Sequence, residues 1–484
     1  MQQFKSFLPL TGLFTVIMLL SACTTNPATG RQQFAALMSP SQENQVGASE
    51  HQKIEQQYGF VTDKALSEYV QRVGASVTAD TERSDVRYKF YIIDSPIVNA
   101  FALPGGYIYV SRGLLALANS EAELASVLGH EAGHITGRHS AERYSHSVIG
   151  TLGVGVLSAA IGSDGVSQAL NLGSNLYLSS YSRDQENEAD TLGLRYMTRA
   201  GYAPHAVPSF LYSLQRQTEL EAALNGRAAN QYNYFATHPA TSDRVSKTRA
   251  ESNAYPQDGA DKREAYLSAI DGMVYGDSAK HGLIRGQSFY HPEIDFTYTV
   301  PDDFELTNST AQVVASNKKG GVVIFDMAAN EKALSPADYI RSSWLADAKL
   351  NTLERIDVNG MDAATASFSG QVSGKAAEIR VVAIKFKQGF ARFQMAIPQN
   401  SSSSFVEDMK RLTYSFRPMS AAEKRDIKPY TLRLYKVKSG EDVKDVAAKM
   451  PFDREKEQRF RVLNAIPDGR EVATGTRYKI IVEE

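Results

Sequence analysis

The chain has 484 residues, which is too long for a single hydrophobic core and predicts two to four domains. Hydrophobic residues make up 43% and charged residues 22%, an ordinary balance for a globular protein. The net charge of -2 excludes the strongly basic character expected of a nucleic-acid-binding protein, and it gives no bulk electrostatic attraction to a membrane.

Residues 1–22 have the pattern of a secretory signal peptide. Lys5 gives a positive start, and the apolar run from Phe7 to Leu20 is too short to span a membrane. Leu20-Ser21-Ala22-Cys23 resembles a bacterial lipobox, which implies cleavage before Cys23 and lipidation of Cys23. Several acyl chains would hold the protein firmly at a membrane. The alternative is an ordinary secretory signal with a chance cysteine.

Cys23 is the only cysteine, so a disulfide within the chain and a cysteine nucleophile elsewhere are excluded. By resemblance to lipoprotein sorting signals, Thr24 in the next position favours the outer membrane of a bacterium, with the protein in the periplasm. Residues 23–39 are mostly polar or small and are predicted to form a lipidated tether.

Residues 40–260 carry mainly helical patterns and one hairpin. Apolar residues recur at helical spacing from Leu66 to Val73, and β-rich runs occur at 88–93 and 106–110. Pro104-Gly105-Gly106 marks a turn between the strand predicted at 97–103 and the second β-rich run. Residues 261–285 are predicted to be a linker.

A charge-free run of small and apolar residues extends from Ser147 to Gly162. It is shorter than the roughly 18–20 residues that span a bilayer as a helix. We expect a buried helical hairpin, and the alternative is a segment that dips into a membrane.

Residues 286–420 are predicted to form a separate α+β domain of unknown role. Apolar and polar residues alternate from Ile294 to Val300, as in a half-buried strand. Two β-rich runs flank Lys387-Gln388-Gly389 and predict a hairpin, and a second hairpin is expected to turn at Asn317 to Gly321. Strands with intervening helical stretches resemble the pattern of PsbP-like domains.

The last segment, residues 430–484, is short and basic. Its pattern resembles a LysM module, a βααβ unit that binds N-acetylglucosamine polymers, which implies peptidoglycan as a possible partner. Glu441 and Asp442 stand where that family favours Asp and Thr, so a small structural domain is the alternative.

The chemistry is carried by His130-Glu131-Ala132-Gly133-His134. Ser120 and Glu123 predict a capping box at the start of a helix through this motif. Residues four apart share a helix face, so His130 and His134 can both bind one zinc ion. Glu131 can reach the remaining coordination position, where a water would sit. Two surface histidines that flank a helical turn are the alternative.

A second helix is predicted to open with Ser182 and Gln185 as its capping box. Glu186 and Asp190 are four apart on it and share a face. One carboxylate can complete a His-His-Glu zinc site, and the other can accept the free N–H of a zinc histidine. The alternative is an acidic first turn favoured by the helix dipole.

These two motifs together resemble the HtpX/BepA-like metallopeptidases, which are related to the CAAX-prenyl proteases. Three further motifs in residues 40–260 share the likeness: Asn99-Ala100-Phe101-Ala102 before Pro104, Arg112-Gly113-Leu114-Leu115, and Thr237-His238-Pro239 with Arg244. The resemblance implies a mainly helical gluzincin-type peptidase domain with a small β-sheet, within an α+β multidomain chain that continues into the PsbP-like and LysM-like segments.

The resemblance also implies roles for individual residues. His130, His134 and Glu186 would bind one Zn2+, Asp190 would hydrogen-bond a zinc histidine, and Glu188 would not be a ligand. His238, with Arg244, would stabilise the transition state. A loop cap is the alternative for His238. The segment Asn99, Ala100, Phe101 and Ala102 would receive an extended substrate by pairing at a strand edge.

The sequence thus predicts a zinc metalloendopeptidase in which Glu131 takes a proton from water and delivers it to the leaving amine. Its expected substrates are unfolded or misfolded envelope proteins, since backbone pairing tolerates many sequences. Three alternatives stay open: a chaperone or assembly factor with a gated zinc site, a cell-wall-binding lipoprotein, and a zinc amidase that acts on peptidoglycan peptides.

Overall fold

The computed structural model describes residues 24–26, 28–35, 37–152, 180–225, 234–239, 242–372, 374–399 and 401–484. The helices are α1 (Pro40–Tyr58), α2 (Lys64–Thr78), α3 (Arg112–Leu117), α4 (Glu121–Thr136), α5 (His139–Leu152), α6 (Arg183–Arg199), α7 (Ala206–Asn225), α8 (Tyr234–Thr237), α9 (Ser242–Ser252), α10 (Arg263–Ile270), α11 (Pro336–Tyr339), α12 (Ser403–Ser415), α13 (Ala421–Asp426), α14 (Val443–Ala447) and α15 (Lys456–Leu463). A π-helical turn at Ile340–Trp344 follows α11.

The strands are β1 (Thr24–Thr25), β2 (Gln32–Gln33), β3 (Lys89–Ile93), β4 (Ala100–Leu103), β5 (Tyr107–Ser111), β6 (Val274–Tyr275), β7 (Leu283–Arg285), β8 (Ser288–His291), β9 (Phe296–Thr299), β10 (Glu305–Asn308), β11 (Val313–Ser316), β12 (Val322–Ala329), β13 (Thr352–Val358), β14 (Met361–Val372), β15 (Lys375–Phe386), β16 (Gly389–Pro398), β17 (Tyr430–Lys436) and β18 (Arg477–Glu483).

The chain separates into two compact units. The first contains the chain up to Gly276 together with Thr431–Val482, and the second contains Asp277–Tyr430 with the last two residues. The first unit is mainly helical and has a small sheet in the order β3-β5-β4, in which β4 pairs antiparallel with β5. The predicted turn joins these two strands, and Gly105 and Gly106 have φ of 78° and 95°, which side chains with a Cβ rarely adopt.

The second unit is built on an antiparallel sheet of seven strands in the order β10-β11-β12-β16-β15-β14-β13. Both predicted hairpins are confirmed, since β15 pairs with β16 and β11 pairs with β12 in antiparallel register. One face of this sheet borders a hydrophobic core that is rich in aromatic residues, among them Phe289, Tyr298 and Phe393. The unit is an α+β domain, as expected, but it begins before residue 286.

The predicted tether, residues 23–39, is folded onto the first unit in its described part. Ala35, Leu37 and Met38 are buried in one cluster with Phe101. The side chain of Asn26 donates a hydrogen bond to the carbonyl of Thr136 at 3.2 Å. The polar composition of the segment does not predict this packing, because a few apolar residues near its end are enough to anchor it to a core.

The predicted linker and the predicted C-terminal module also differ from expectation. Residues 261–285 contain α10 and β6, and β6 pairs with β17 of the C-terminal segment in a sheet of the order β18-β17-β6. That segment has the expected β-α-α-β order, but its residues Thr431–Val482 pack as part of the first unit. Arg216 of α7 holds it by donating to the carbonyl of Ile466 at 2.8 Å and to Asp468 at 2.7 Å.

The predicted signal peptide lies outside the described residues, and the predicted apolar hairpin lies partly outside them. Cys23 and residues 1–22 lie outside the described residues, and so do residues 153–162 of the apolar run, of which α5 covers the start. Across the parts of the chain that are described, no helix is both long and apolar enough to cross a membrane.

Helices α4 and α6 approach each other closely because glycine lies where they meet. A Cβ atom added to Gly193 would lie 2.7 Å from the backbone nitrogen of His130. One added to Gly133 would lie 2.9 Å from the carbonyl oxygen of Ala189. Backbone therefore packs on backbone at the level of both sequence motifs.

We predict that Gly193→Val separates α4 from α6, because the new side chain overlaps main-chain atoms that cannot rotate away. The expected cost is about 2–3 kcal/mol of unfolding free energy, with at least a tenfold loss of zinc affinity measured by chelator competition. Asp184→Val, at an exposed position on the same helix, is the matched control. Unchanged zinc affinity in Gly193→Val would contradict the importance of this contact.

A second prediction concerns Lys479, a buried residue of β18. Its ammonium donates to the carbonyls of Ala116, Leu117 and Ala118 at 2.7, 3.3 and 2.7 Å, at the end of α3. Lys479→Met leaves these carbonyls without this donor and should lower the unfolding free energy by about 2–4 kcal/mol. Chemical denaturation of the full chain measures this, with exposed Lys444→Met as the control. Equal stability of the two variants would contradict the docking contact.

Candidate active site

The two motif helices begin as the sequence predicts, with one difference. Ser182 and Gln185 form a reciprocal capping box on α6. On α4 the side chain of Ser120 accepts from the backbone N–H of Glu123, whereas the Glu123 carboxylate accepts from the backbone N–H of Asn119. Side chains therefore fix the first residue of both helices. The position of each motif along its helix, and the direction in which its side chains point, follow from that start.

Four side chains of the first unit converge into a group that could hold a metal ion. They are His130, His134, Glu186 and His238, and their candidate ligand atoms all lie within 4.8 Å of one another. The Nε2 atoms of His130 and His134 are 3.0 Å apart. Oε1 of Glu186 lies 3.4 Å from Nε2 of His134 and 3.0 Å from Nδ1 of His238.

The carboxylates of α6 occupy different positions. Glu186 lies inside the cluster, whereas Oδ1 of Asp190 is 2.9 Å from Nδ1 of His130, on the side of the ring away from the cluster. Arg244 donates from Nε and Nη2 to Asp190 at 2.6 and 2.9 Å. Its Nη1 is also 2.6 Å from Oε2 of Glu186.

The position of Arg244 bears on its predicted role. The guanidinium is 3% exposed and pairs with both carboxylates of α6. A group held in this way orients the carboxylates and offsets their charge. The expectation that Arg244 acts on the transition state is therefore replaced by a positioning role in our interpretation.

Glu131 is fully buried next to the cluster. Within the described residues, neither of its carboxylate oxygens takes part in a hydrogen bond. Oε1 lies 3.5 Å from Nε2 of His238. Burial raises the pKa of Glu131 above its ordinary value. An unsatisfied buried carboxyl group is costly, and it is most simply explained by a missing polar partner at this position.

The charges of Glu186 and His134 match those of a metal site. For His130, burial is outweighed by the hydrogen bond to Asp190 and by the charges of Glu186 and Asp190, so its pKa is raised. Burial opposes the charged form of Glu186, but the charge of His238, hydrogen bonds from His134 and His238, and nearby Arg244 outweigh it and hold its pKa well below the usual range. Burial lowers the pKa of His134 well below its ordinary value. An ionised carboxylate and a neutral imidazole are the forms that bind zinc.

Two aromatic residues near the cluster were not predicted from the sequence. The ring of Tyr181 stacks on His134 with centroids 3.6 Å apart, and that of Tyr234 stacks on His238 at 4.4 Å. Tyr181 directly precedes the cap of α6, and Tyr234 opens the short helix before His238. No sequence spacing identifies either tyrosine as part of the site, although each lies next to a motif.

The predicted substrate-binding segment contains β4, one of the two edge strands of the small sheet. Ala100, Phe101 and Ala102 belong to β4 and are buried, and Phe101 stacks on Tyr109 of β5. Asn99 precedes the strand, and its backbone N–H donates to the hydroxyl of Ser111 at 3.1 Å. The segment thus forms a strand over Ala100–Leu103, and its pairing with a substrate stays a prediction.

Comparison with known proteins agrees with this geometry. Residues 64–252 match the model of peptidase family M48. The chain is 31% identical to the putative beta-barrel assembly-enhancing protease of Vibrio cholerae over 40% of this chain and 41% of that protein. It is 28% identical to the beta-barrel assembly-enhancing protease of Yersinia pestis over 50% of this chain and 51% of that protein.

A eukaryotic relative has a similar sequence identity to this chain. The mitochondrial metalloendopeptidase OMA1 of Schizosaccharomyces pombe is 29% identical over 46% of this chain and 64% of its own length. The chain therefore spans about two fifths to two thirds of the length of these relatives. Cyanobacterial PsbP from Synechocystis aligns with 28% of the chain at 11% identity and a TM-score of 0.23, which carries no argument for the PsbP-like expectation.

The match covers α4, α6 and α9, and with them His130, Glu131, His134, Glu186, Asp190, His238 and Arg244. It confirms the resemblance drawn from the two motifs. Residues 64–252 of this chain are thus similar to peptidase family M48.

Proposed function

We propose that this protein is a zinc-dependent endopeptidase that cleaves unfolded or misassembled proteins of the bacterial envelope. The observation that carries the proposal is the convergence of His130, His134, Glu186 and His238 beside the buried carboxyl group of Glu131. Two imidazoles and one carboxylate are the protein ligands of many catalytic zinc sites.

The residues present fit a zinc ion. Nitrogen and carboxylate donors suit this metal, and the ion would also compensate the buried negative charge of Glu186. His130, His134 and Glu186 would hold it. His238 lies beside these three residues and would donate to the reacting oxygen of the substrate.

A bound zinc ion supplies a Lewis acid and lowers the pKa of a water to about 7. Glu131 accepts the proton of the attacking water and returns it to the leaving amine. The raised pKa of Glu131 favours this role, because a carboxyl group with an ordinary pKa holds a proton poorly near neutrality. His238, which faces Glu131, stabilises the negative charge that develops on the substrate oxygen.

The relatives and the sequence support the proposed substrate class and location. The bacterial relatives are named for enhancing β-barrel assembly, which supports envelope proteins as the substrates of this chain. An extended segment would pair with the edge strand β4. Lipid on Cys23 would hold the enzyme at the outer membrane, and the LysM-like β-α-α-β segment could add contact with peptidoglycan.

One observation favours a site that is closed at rest. His134, Glu186 and His238 are each at most 2% exposed, and Glu131 is inaccessible to solvent. A substrate backbone cannot reach these groups unless part of the unit moves. A gated peptidase, which also serves as an assembly factor while closed, is therefore our second candidate function.

Replacing Glu131 with Gln tests the proposal directly. The variant keeps the shape of the side chain but cannot take a proton, so cleavage should fall at least about 100-fold while zinc content stays at one ion per chain. The assay follows degradation of an unfolded model protein by the full chain in detergent. Exposed Glu219→Gln is the control.

The alternatives give other outcomes in the same assay. If neither wild type nor Glu131→Gln cleaves although both bind zinc, the gated assembly factor is supported. If the variant retains wild-type cleavage, the assignment of Glu131 is wrong.

Glu186→Ala separates metal binding from catalysis. Because the change removes a carboxylate from the cluster, zinc affinity should fall at least about 100-fold, together with activity. Elemental analysis after dialysis against a weak chelator measures the loss. Asp184→Ala, an exposed acid in the same helical turn, should keep its zinc. Full retention of zinc by Glu186→Ala would contradict the ligand assignment.

A further inference from the structure

The two metal-binding histidines of α4 are supported on their far sides in different ways. When Nε2 of each ring faces the cluster, Nδ1 is left to bind something else. Nδ1 of His130 faces Asp190, which Arg244 holds with two hydrogen bonds. Nδ1 of His134 instead lies 2.7 Å from Nδ1 of His139, a residue that the sequence motifs do not include.

The contact continues away from the cluster. Nε2 of His139 is 3.3 Å from Oε2 of Glu188, and Nε of Arg31 donates to the same oxygen at 2.8 Å. Arg31 also donates from both terminal nitrogens to Glu142, at 2.9 Å each. The side chain of His139 is fully buried and that of Glu188 is 9% exposed, so bulk water does not compete strongly for these bonds.

Only one placement of protons satisfies the whole series. Metal binding through Nε2 of His134 requires its proton on Nδ1, which must then donate to Nδ1 of His139. His139 must therefore carry its own proton on Nε2, where it donates to the carboxylate of Glu188. Arg31 contributes only donors, so it completes the series without a conflict.

We propose that His139, Glu188 and Arg31 form a relay that positions His134 for zinc binding. This inference rests on the zinc site of the proposed function. The relay fixes the tautomer and the ring plane of His134, as Asp190 and Arg244 do for His130. Each zinc histidine is thereby backed by a carboxylate, and each carboxylate is backed by an arginine.

The relay assigns a function to residues that the first interpretation left unused. Glu188 is the acid of the second motif that is not a ligand, and Arg31 belongs to the segment predicted to be a free tether. His134 is also held by the stacked ring of Tyr181. The ring contact restricts the plane of the imidazole, but only the relay selects which nitrogen carries the proton.

The test measures zinc affinity of the full chain by competition with a chromophoric chelator. His139→Phe and Glu188→Ala should each weaken zinc binding about 10- to 100-fold. Glu188→Gln keeps an acceptor for His139 but loses the charge, so its loss should be smaller. The visible absorption of the cobalt-substituted protein should also change, because the orientation of one ligand is released.

Arg195→Ala is the matched control. Arg195 also lies on α6 and also holds the N-terminal segment, through the carbonyl of Ala28 at 3.0 Å, and its ion pair is with Glu82, which is not part of the relay. This variant should bind zinc within twofold of wild type. Thermal unfolding of each metal-free variant checks that it folds, and if His139→Phe does not fold, the two Glu188 variants decide the question.

Three results distinguish the possible failures. Zinc affinity within twofold of wild type in His139→Phe and Glu188→Ala, with an unchanged cobalt spectrum, would overturn the relay. An equal loss in Arg195→Ala would overturn it as well, since the effect would then belong to packing of the N-terminal segment. Absence of zinc from the wild-type protein would instead refute the proposed function.

Discussion

The close approach of α4 and α6 is the contact on which the site depends. Gly133 and Gly193 bring main chain against main chain, and the motif residues on both helices then face one another across a short gap. A longer separation would leave Glu186 unable to reach the histidines, because its side chain has only three rotatable bonds. The residue type at Gly133, inside the first motif, is therefore restricted by helix packing. The residue types at the proposed ligand positions are restricted by the chemistry of metal binding.

The same closeness concentrates charge in a buried place. Glu186, Asp190 and Arg244 lie together with the histidines away from solvent, where an unpaired charge is costly. The arrangement is tolerable because the carboxylates and guanidinium groups are paired by short hydrogen bonds. Charge pairing of this kind would hold the proposed zinc ligands in place before the metal binds, which would lower the entropic cost of binding it.

Sequence reasoning succeeded where spacing within one helix determines geometry. The four-residue separations in both motifs placed His130 with His134 and Glu186 with Asp190 correctly on shared faces. The contact between Arg31 and Glu188 was not predicted, because no local pattern connects two residues that are 157 positions apart. The tether and the linker were wrong for a related reason: composition describes what a segment is made of, and whether it packs depends on surfaces supplied by distant parts of the chain.

The strand order β18-β17-β6 has a consequence for how the protein is made. The first unit is discontinuous, since the chain leaves it after Gly276, builds the second unit, and returns at Thr431. The sheet that contains β6 cannot form until β17 and β18 have been synthesised. The first unit therefore reaches its complete fold only after the second unit has been synthesised, so its early part stays without β17 and β18 for as long as that takes.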